Sequence, residues 1–315
     1  MKISPIMVDA IRRLVRGIVR CDVFMRDLTS FRIGGAADVV VEPSGVEDMA
    51  ALRSFLSREG VPHLVMGAGT NVLCSDKGYR GVVVRTAGLR RMETTANGSA
   101  PVRIAAGAGI GLTRLATQAH RAGAGGMEPL WGIPGSVGGA VAGNAGAGEV
   151  GTCDFLEELT LVTREGTLIT RTRDDLAFDY RRGGLPPDAA AVEGVFRFEL
   201  GDPRETRERL RYWTRVRREQ QPWRVPSAGC VFKNPDQGDP AGAMIDRLGF
   251  KGSSAGGAQV SAVHANFIIN RGGATAEDVL TLIRRIRRRV ADEYHIPLAL
   301  EIKLIGEGLE HADPW

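Results

Sequence analysis

Apolar positions along the chain switch repeatedly between short runs and a helical period. Residues 38–43 (DVVVEP) and 63–69 (HLVMGAG) are runs bounded by turn residues and predict strands, while VEDMAALRSFLSREG between them has the 3.6-residue spacing of an amphipathic helix. That is a β-α-β start. Residues 81–85 (GVVVR) and 102–109 (VRIAAGAG) predict further strands, and 112–123 (LTRLATQAHRAG) a helix stopping at Gly123, where glycine suits the C-terminal cap. LEELTLVTREGTLITRT (156–172) reads as a hairpin turning at Arg164-Glu165-Gly166, and GVFRFEL (194–200) as one more strand.

Gly201-Asp202-Pro203 punctuates the chain, and a basic helix follows until Pro222 closes it (RETRERLRYWTRVRREQQPW). The last third alternates again: CVFKNP, a helix over GAMIDRLG, a strand over ANFIIN, a helix over AEDVLTLIRRIRRRVADEY and a strand over LALEIKLIG. Thr275 and Asp278 stand three apart in front of a stripe at Val279, Leu280, Ile283, Ile286 and Val290, a capping arrangement ahead of an amphipathic face. The domains expected are an N-terminal helical segment over 1–28, an α+β domain over 29–201 and an α/β domain over 202–315.

Composition sharpens this picture at the glycines. There are 41 in 315 residues, nearly twice the usual share of about 7%, more than turns alone require. A net charge of +4 suits anionic ligands but is too small and scattered to argue for nucleic acid, although a basic nucleic-acid binder using residues 204–218 is the reading from another class. Cys21, Cys74, Cys153 and Cys230 are far apart, with no C-x-x-C and no paired histidines, so neither a metal site nor a disulfide framework is indicated. Asp9, Arg12 and Arg13 interrupt the N-terminus before an export signal forms, and a reducing, cytoplasmic compartment is expected. The uncharged run 129–148 has the length of a membrane span, but its glycines and two prolines argue for a loop of bare backbone and against membrane insertion.

Two glycine loops carry the candidate chemistry. GAGTNVL (67–73) follows a strand, and GIPGSVGGAVAGNAG (132–146) is longer. Glycine lets successive backbone N–H groups point inward, as a pyrophosphate cradle needs. Candidate cofactor contacts are Gly67, Ala68, Gly69, Thr70, Asn71, Val72 and Leu73 in the first loop, and Ile133, Pro134, Gly135, Ser136, Gly139, Asn144, Ala145 and Gly146 in the second, with Asn71, Ser136 and Asn144 offering side-chain hydrogen bonds. Read singly, each loop is a tight turn; two long ones favour a nucleotide cofactor. Gly146, Gly148 and Gly151 match G-x-G-x-x-G literally, but a dinucleotide fold needs a strand before that motif and a helix opened by it, and the flanks here are a glycine loop and a hairpin strand.

The collinear set TSFRIGGAAD, GAGTNVL, GIPGSVGGAVAGNAGA, YRR, PSAGCVFKNP, GGAQVSAVHANFIIN and LEIKLIG resembles the UDP-N-acetylenolpyruvoylglucosamine reductase (MurB) family over nearly the whole chain. The resemblance implies an α+β protein with noncovalent FAD in a two-lobed FAD-binding domain of the vanillyl-alcohol-oxidase (PCMH) type, plus a C-terminal α/β substrate-binding domain. It implies a role in peptidoglycan precursor synthesis, and a monomer is expected. NADPH reduces FAD, and the reduced flavin then passes hydride to C3 of the enolpyruvyl sugar nucleotide, after which C2 is protonated. The short chain after DYRRGG lacks the tyrosine-bearing insertion of one subgroup and is similar to the shorter class.

Three positions carry the last step by this resemblance. Arg181 in DYRRGG and Glu301 in LALEIKL match the family residues that bind and polarise the substrate carboxylate, and Cys230 stands where the family usually has the proton-donating serine of G-S-x-F-K-N-P. A thiol with a reference pKa of about 8.5 is a stronger acid than an alcohol and stays mostly protonated at neutral pH, so the exchange is chemically coherent. Lys233 and Asn234 resemble substrate-binding residues, and His264 and Asn266 are expected to fix a loop near the flavin. Outside the motif set, Cys230 reads as a small buried hydrophobe, Glu301 as half of an exposed cross-strand pair, Arg181 as a solvated loop charge, and Lys233 with Asn234 as turn chemistry before Pro235.

Overall fold

The computed structural model describes residues 2–95 and 101–309. In chain order the elements are helix α1 (Pro5–Leu14), strands β1 (Ile18–Phe24) and β2 (Ala36–Glu42), helix α2 (Val46–Arg58), strands β3 (His63–Met66), β4 (Val72–Cys74), β5 (Tyr79–Arg85), β6 (Met92–Thr95) and β7 (Val102–Gly107), and helices α3 (Leu112–Arg121) and α4 (Val137–Ala142). Strands β8 (Gly146–Ala147), β9 (Val150–Gly151), β10 (Leu156–Val162), β11 (Leu168–Thr172) and β12 (Ala190–Phe198) lead to helix α5 (Pro203–Gln220). Strand β13 (Ser227–Cys230), helix α6 (Ala241–Arg247), strands β14 (Ser254–Ala255), β15 (Ala258–Val260) and β16 (Phe267–Asn270), helix α7 (Ala276–Tyr294) and strand β17 (Lys303–Ile305) complete the chain.

The chain divides into two compact units, each drawn from several stretches: residues 1–21, 39–68 and 81–215 form one, and 22–38, 69–80 and 216–315 the other. The first is built in two lobes around separate cores. In one, Val39, Val41, Val82 and Val84 of β2 and β5 pack with Met49, Leu52 and Leu56 of α2, all at most 1% exposed. Their sheet runs β1-β2-β5-β3, with β3 parallel to β5. The other lobe holds the antiparallel sheet β11-β10-β12-β7-β6, whose Ile104, Leu159 and Phe196 pack with Leu112 and Leu115 of α3. The β10–β11 hairpin closes through Gly166 at φ 86°, where glycine takes a left-handed turn without strain.

The second unit has its own core. Val279, Ile283, Ile286 and Val290 of α7 are fully buried with Phe232, Ile245 and Leu73. The capping box forms: Thr275 Oγ1 accepts from the Asp278 amide at 3.1 Å, and Asp278 Oδ2 accepts from the Thr275 amide at 3.0 Å. Asp76 adds its carboxylate to the Ala276 amide at 2.9 and 3.0 Å, which suits the positive end of the helix. The small sheet runs β13-β16-β15-β14, and β17 pairs in parallel with β4.

Two expectations are corrected. The 1–28 segment is helical chiefly over Pro5–Leu14 and continues as strand β1, an edge strand whose mostly exposed residues, Arg20 and Asp22 among them, give it no apolar run to read. LALEIKLIG is not one strand: Leu300 bridges Phe232, and only Lys303–Ile305 joins a ladder, against Val72–Cys74. No helix among the described residues is long and apolar enough to cross a membrane, and no group of His, Cys, Asp and Glu among them could hold a metal ion.

Candidate active site

In the first unit, strand β3 delivers Gly67 against the second glycine loop. A Cβ at Gly67 would collide with Ser136 Oγ, the cap of α4, whose hydroxyl accepts from the Gly139 amide at 3.5 Å. Residues 135–138 are laid along residues 108–112 by main-chain bonds: Leu112 N to Gly135 O at 3.0 Å, Val137 N to Ile110 O at 2.7 Å and Gly138 N to Ala108 O at 2.9 Å. Gly138 leaves no room either, since a Cβ there would stand 2.7 Å from the Ala108 Cβ. Bare backbone is therefore required where the loops meet, which is what a dinucleotide pyrophosphate needs from its binding surface. Ile133, Pro134 and Gly135 lead into α4, in whose first turn Gly139 is exposed, and Ala68 is exposed beside Gly67. Gly146, Gly148 and Gly151 belong to the β8–β9 hairpin, with Gly148 at φ 62°, and open no α-helix, only the short 3-10 turn Thr152–Phe155.

Asn144 and Arg181 are tied together at the end of this loop. Asn144 accepts from the Cys153 amide at 3.1 Å and donates to Asp179 O at 3.1 Å, so much of its amide is spent on protein. Arg182 N returns to Asp179 O at 3.0 Å, closing a turn with Arg181 at its third position and at φ 54°. That region is costly for a side chain with a Cβ, and such strain clusters where a side chain must be aimed. Arg181 Nη2 donates to Gly146 O at 3.0 Å and its guanidinium lies 5.0 Å from the Tyr180 ring.

In the second unit, Cys230 ends strand β13 just after a bulge. Ser227 faces Ile269 and Cys230 faces Phe267, so β13 carries one extra residue, and Gly229 takes φ 80°. The Glu301 amide donates to Val231 O at 2.8 Å, and the Lys233 amide to Ala299 O at 2.9 Å, which sets Glu301 beside the Cys230 segment. Asn71 joins them, donating to Glu301 O at 3.1 Å and accepting from the Lys303 amide at 2.9 Å. Ser30 Oγ reaches Ser227 O at 2.6 Å while its amide donates to Gly69 O at 3.0 Å. Gly69 at φ 68° would overlap Leu28 O if it bore a Cβ. Val72 and Leu73 lie in β4, and the Leu73 side chain is fully buried in the core, so only its backbone can face a ligand.

The remaining residues sort by what they touch. Asn234 Oδ1 accepts from the Ala241 amide at 3.1 Å and so caps α6, while Lys233 is half-buried. His264 Nδ1 accepts from the Asn266 amide at 3.2 Å; burial, with Lys251 adding to it, holds the imidazole below its usual range and neutral. Sequence reading overlooked Asn270, which donates to Phe31 O and Arg32 O at 3.1 and 3.3 Å and accepts from the Gly272 and Ala274 amides at 2.9 and 3.2 Å. Its signal was only the polar end of an apolar strand. Of the cysteines, Cys74 and Cys153 are buried, and burial pushes both thiols up to about 12, whereas Cys230 is half-buried and Cys21 exposed.

Known proteins match this architecture throughout. A family model for the UDP-N-acetylenolpyruvoylglucosamine reductase C-terminal domain matches residues 221–305, and one for an FAD binding domain matches 37–172. The UDP-N-acetylenolpyruvoylglucosamine reductase of Geobacter metallireducens is 41% identical over 94% of this chain and 97% of its own length. That of Halalkalibacterium halodurans is 39% identical over 96% and 99%. The crystal structure of the reductase (MurB) from Thermus caldophilus superposes with a TM-score of 0.75 at 34% identity, covering 92% of this chain and 98% of that one. With glycine loops that fit FAD and relatives matched over almost their full length, the chain belongs to the UDP-N-acetylenolpyruvoylglucosamine reductase family, FAD oxidoreductases of peptidoglycan precursor synthesis.

Proposed function

We propose that the protein uses NADPH to reduce its FAD and then reduces UDP-N-acetylglucosamine enolpyruvate to UDP-N-acetylmuramate, with Cys230 giving the proton to C2. Bound FAD supplies a hydride to C3 of the enolpyruvyl group. The chain's own residues do the rest. Gly67, Ala68 and the 133–146 loop hold the cofactor through bare backbone. Glu301 and Arg181 interact with the substrate carboxylate so that negative charge arising at C2 spreads onto its oxygens, and the Cys230 thiol transfers its proton to that carbon. Lys233 and Asn234 are assigned to the nucleotide part of the substrate; the Asn234 amide keeps hydrogen-bonding capacity beyond the one bond it makes to Ala241 N.

The observation that carries this reading is the bond from the Glu301 amide to Val231 O, which holds a carboxylate-bearing residue next to the one thiol that is neither deeply buried nor on an open surface. The oxidising partner of the cycle is the enolpyruvyl alkene itself, so no further acceptor is needed. The test is anaerobic: the purified protein is yellow, NADPH bleaches it, and the enolpyruvyl sugar nucleotide restores the colour with formation of the lactyl ether. A colourless protein that FAD cannot reconstitute, or a bleached one that the enolpyruvyl nucleotide leaves bleached, contradicts the proposal.

A further inference from the structure

The thiol of Cys230 lies between two unusual backbone features. Before it, the Gly229 bulge turns the strand; after it, the chain leaves the β13–β16 ladder at Cys230 and would present the buried N–H and C=O of Phe232, 1% exposed, to an apolar core. Asn266 takes over there. Its Oδ1 accepts from Phe232 N at 2.9 Å, its Nδ2 donates to Phe232 O at 2.8 Å, and its own carbonyl accepts from Val231 N at 2.8 Å. The residue is 4% exposed, and its main-chain N–H donates to His264 Nδ1 at 3.2 Å. One residue thus imitates a strand partner over the two residues that follow the thiol, with its side chain at Phe232 and its main-chain carbonyl at Val231, and Val231 is bonded to Glu301 through its own carbonyl.

We infer that Asn266 is a positioning residue for Cys230: its amide clamp on Phe232, with the bond to Val231, fixes the direction of the thiol. The inference rests on the reading of Cys230 as the proton donor. Among the described residues, the groups that satisfy the Phe232 main chain at this point belong to Asn266, so a side chain lacking the amide leaves two buried polar groups to find new partners and the strand end must shift. A displacement of about 1 Å at a reacting group is enough to cost roughly 100-fold in rate. Holding FAD and accepting hydride from NADPH do not call on Cys230 and are expected to survive.

The experiment measures both half-reactions by anaerobic stopped-flow for Asn266→Ala, Cys230→Ala and the double variant, with UDP-N-acetylglucosamine enolpyruvate as oxidant. For Asn266→Ala, flavin reduction by NADPH stays within about twofold while reoxidation slows by about 10- to 100-fold. In the Cys230→Ala background the same substitution slows reoxidation less than about twofold further, because a misdirected thiol no longer matters. Equal loss in both half-reactions, or effects that multiply in the double variant, overturns the inference. An unchanged reoxidation rate in Cys230→Ala alone overturns instead the assignment of the proton donor. Asn266→Asp keeps the acceptor for Phe232 N and loses the donor to Phe232 O, so it falls between wild type and Asn266→Ala; if both Asn266 variants fail to retain FAD, Asn266 is structural and the inference is wrong.

Discussion

The amide of Glu301 donates to the carbonyl oxygen of Val231 at 2.8 Å, joining two residues 70 positions apart in sequence by main-chain atoms alone. Substituting the Glu301 side chain therefore leaves the joint intact. Glu301→Gln is expected to melt within about 2 °C of wild type, since the exchange is nearly isosteric and leaves this main-chain joint in place. It should slow reoxidation by the enolpyruvyl nucleotide by about 100-fold, the usual cost of one group that stabilises developing charge. Thermal melts and single-turnover rates check the two halves. A loss of stability with no loss of rate would make Glu301 a structural residue.

Gly67 and Ser136 give a test of the cofactor loops. A methyl at position 67 pushes the Ser136 hydroxyl off the Gly139 amide, because a hydroxyl is the cheapest thing there to move. Loss of that cap costs about 1 kcal/mol, and FAD affinity falls with it as the loop shifts. Gly67→Ala is expected to lower flavin occupancy on gel filtration. Gly138→Ala is harsher: its neighbour is the Ala108 Cβ at 2.7 Å, which cannot rotate away, and overpacking of this kind costs about 1–3 kcal/mol.

Much of this was legible because its causes are local. The capping box at Thr275 and Asp278 and the stripe from Val279 to Val290 lie within 16 residues, and helix α7 forms as they predict. The Gly166 turn is equally local. Strand β1 was hidden because an edge strand with few buried residues shows no apolar run, and the 298–306 segment was read as one strand because alternation cannot say that residue 300 faces Phe232 and residue 303 faces Val72. Side-chain use was the least readable. Asn144, Asn234 and Asn266 stand alike in motifs, yet Asn144 ties the loop to Asp179, Asn234 caps α6 and Asn266 clamps Phe232. Partners about 7 to 35 residues away decide these roles, and spacing carries no record of them.

The four thiols should separate by burial. Desolvation is the main cause that pushes Cys74 and Cys153 up to about 12, with Asp76 and Asp154 adding to it, so about one in ten thousand of either is thiolate at pH 8. With a disulfide reagent at pH 8, exposed Cys21 reacts quickly, half-buried Cys230 more slowly, and the other two only after denaturation. The same shifts fix a sign. The folded state keeps protons that unfolded cysteines release near their usual value of about 8.5, so this contribution to stability is complete below that pH and declines as pH rises above it. Urea melts at pH 7.5 and 10 check the direction, and fast labelling of three or more thiols in the native protein would contradict the burial argument.

We assign the protonation of C2 to the sulfur at position 230. Its most direct measurement is anaerobic single turnover of the NADPH-reduced enzyme with UDP-N-acetylglucosamine enolpyruvate, comparing wild type, Cys230→Ser and Cys230→Ala. All three are expected to accept hydride from NADPH at similar rates, Cys230→Ser to retain substantial reoxidation, and Cys230→Ala to lose about 100-fold or more in reoxidation alone. Reoxidation of Cys230→Ala at the wild-type rate, or an equal fall in both half-reactions, would contradict the assignment.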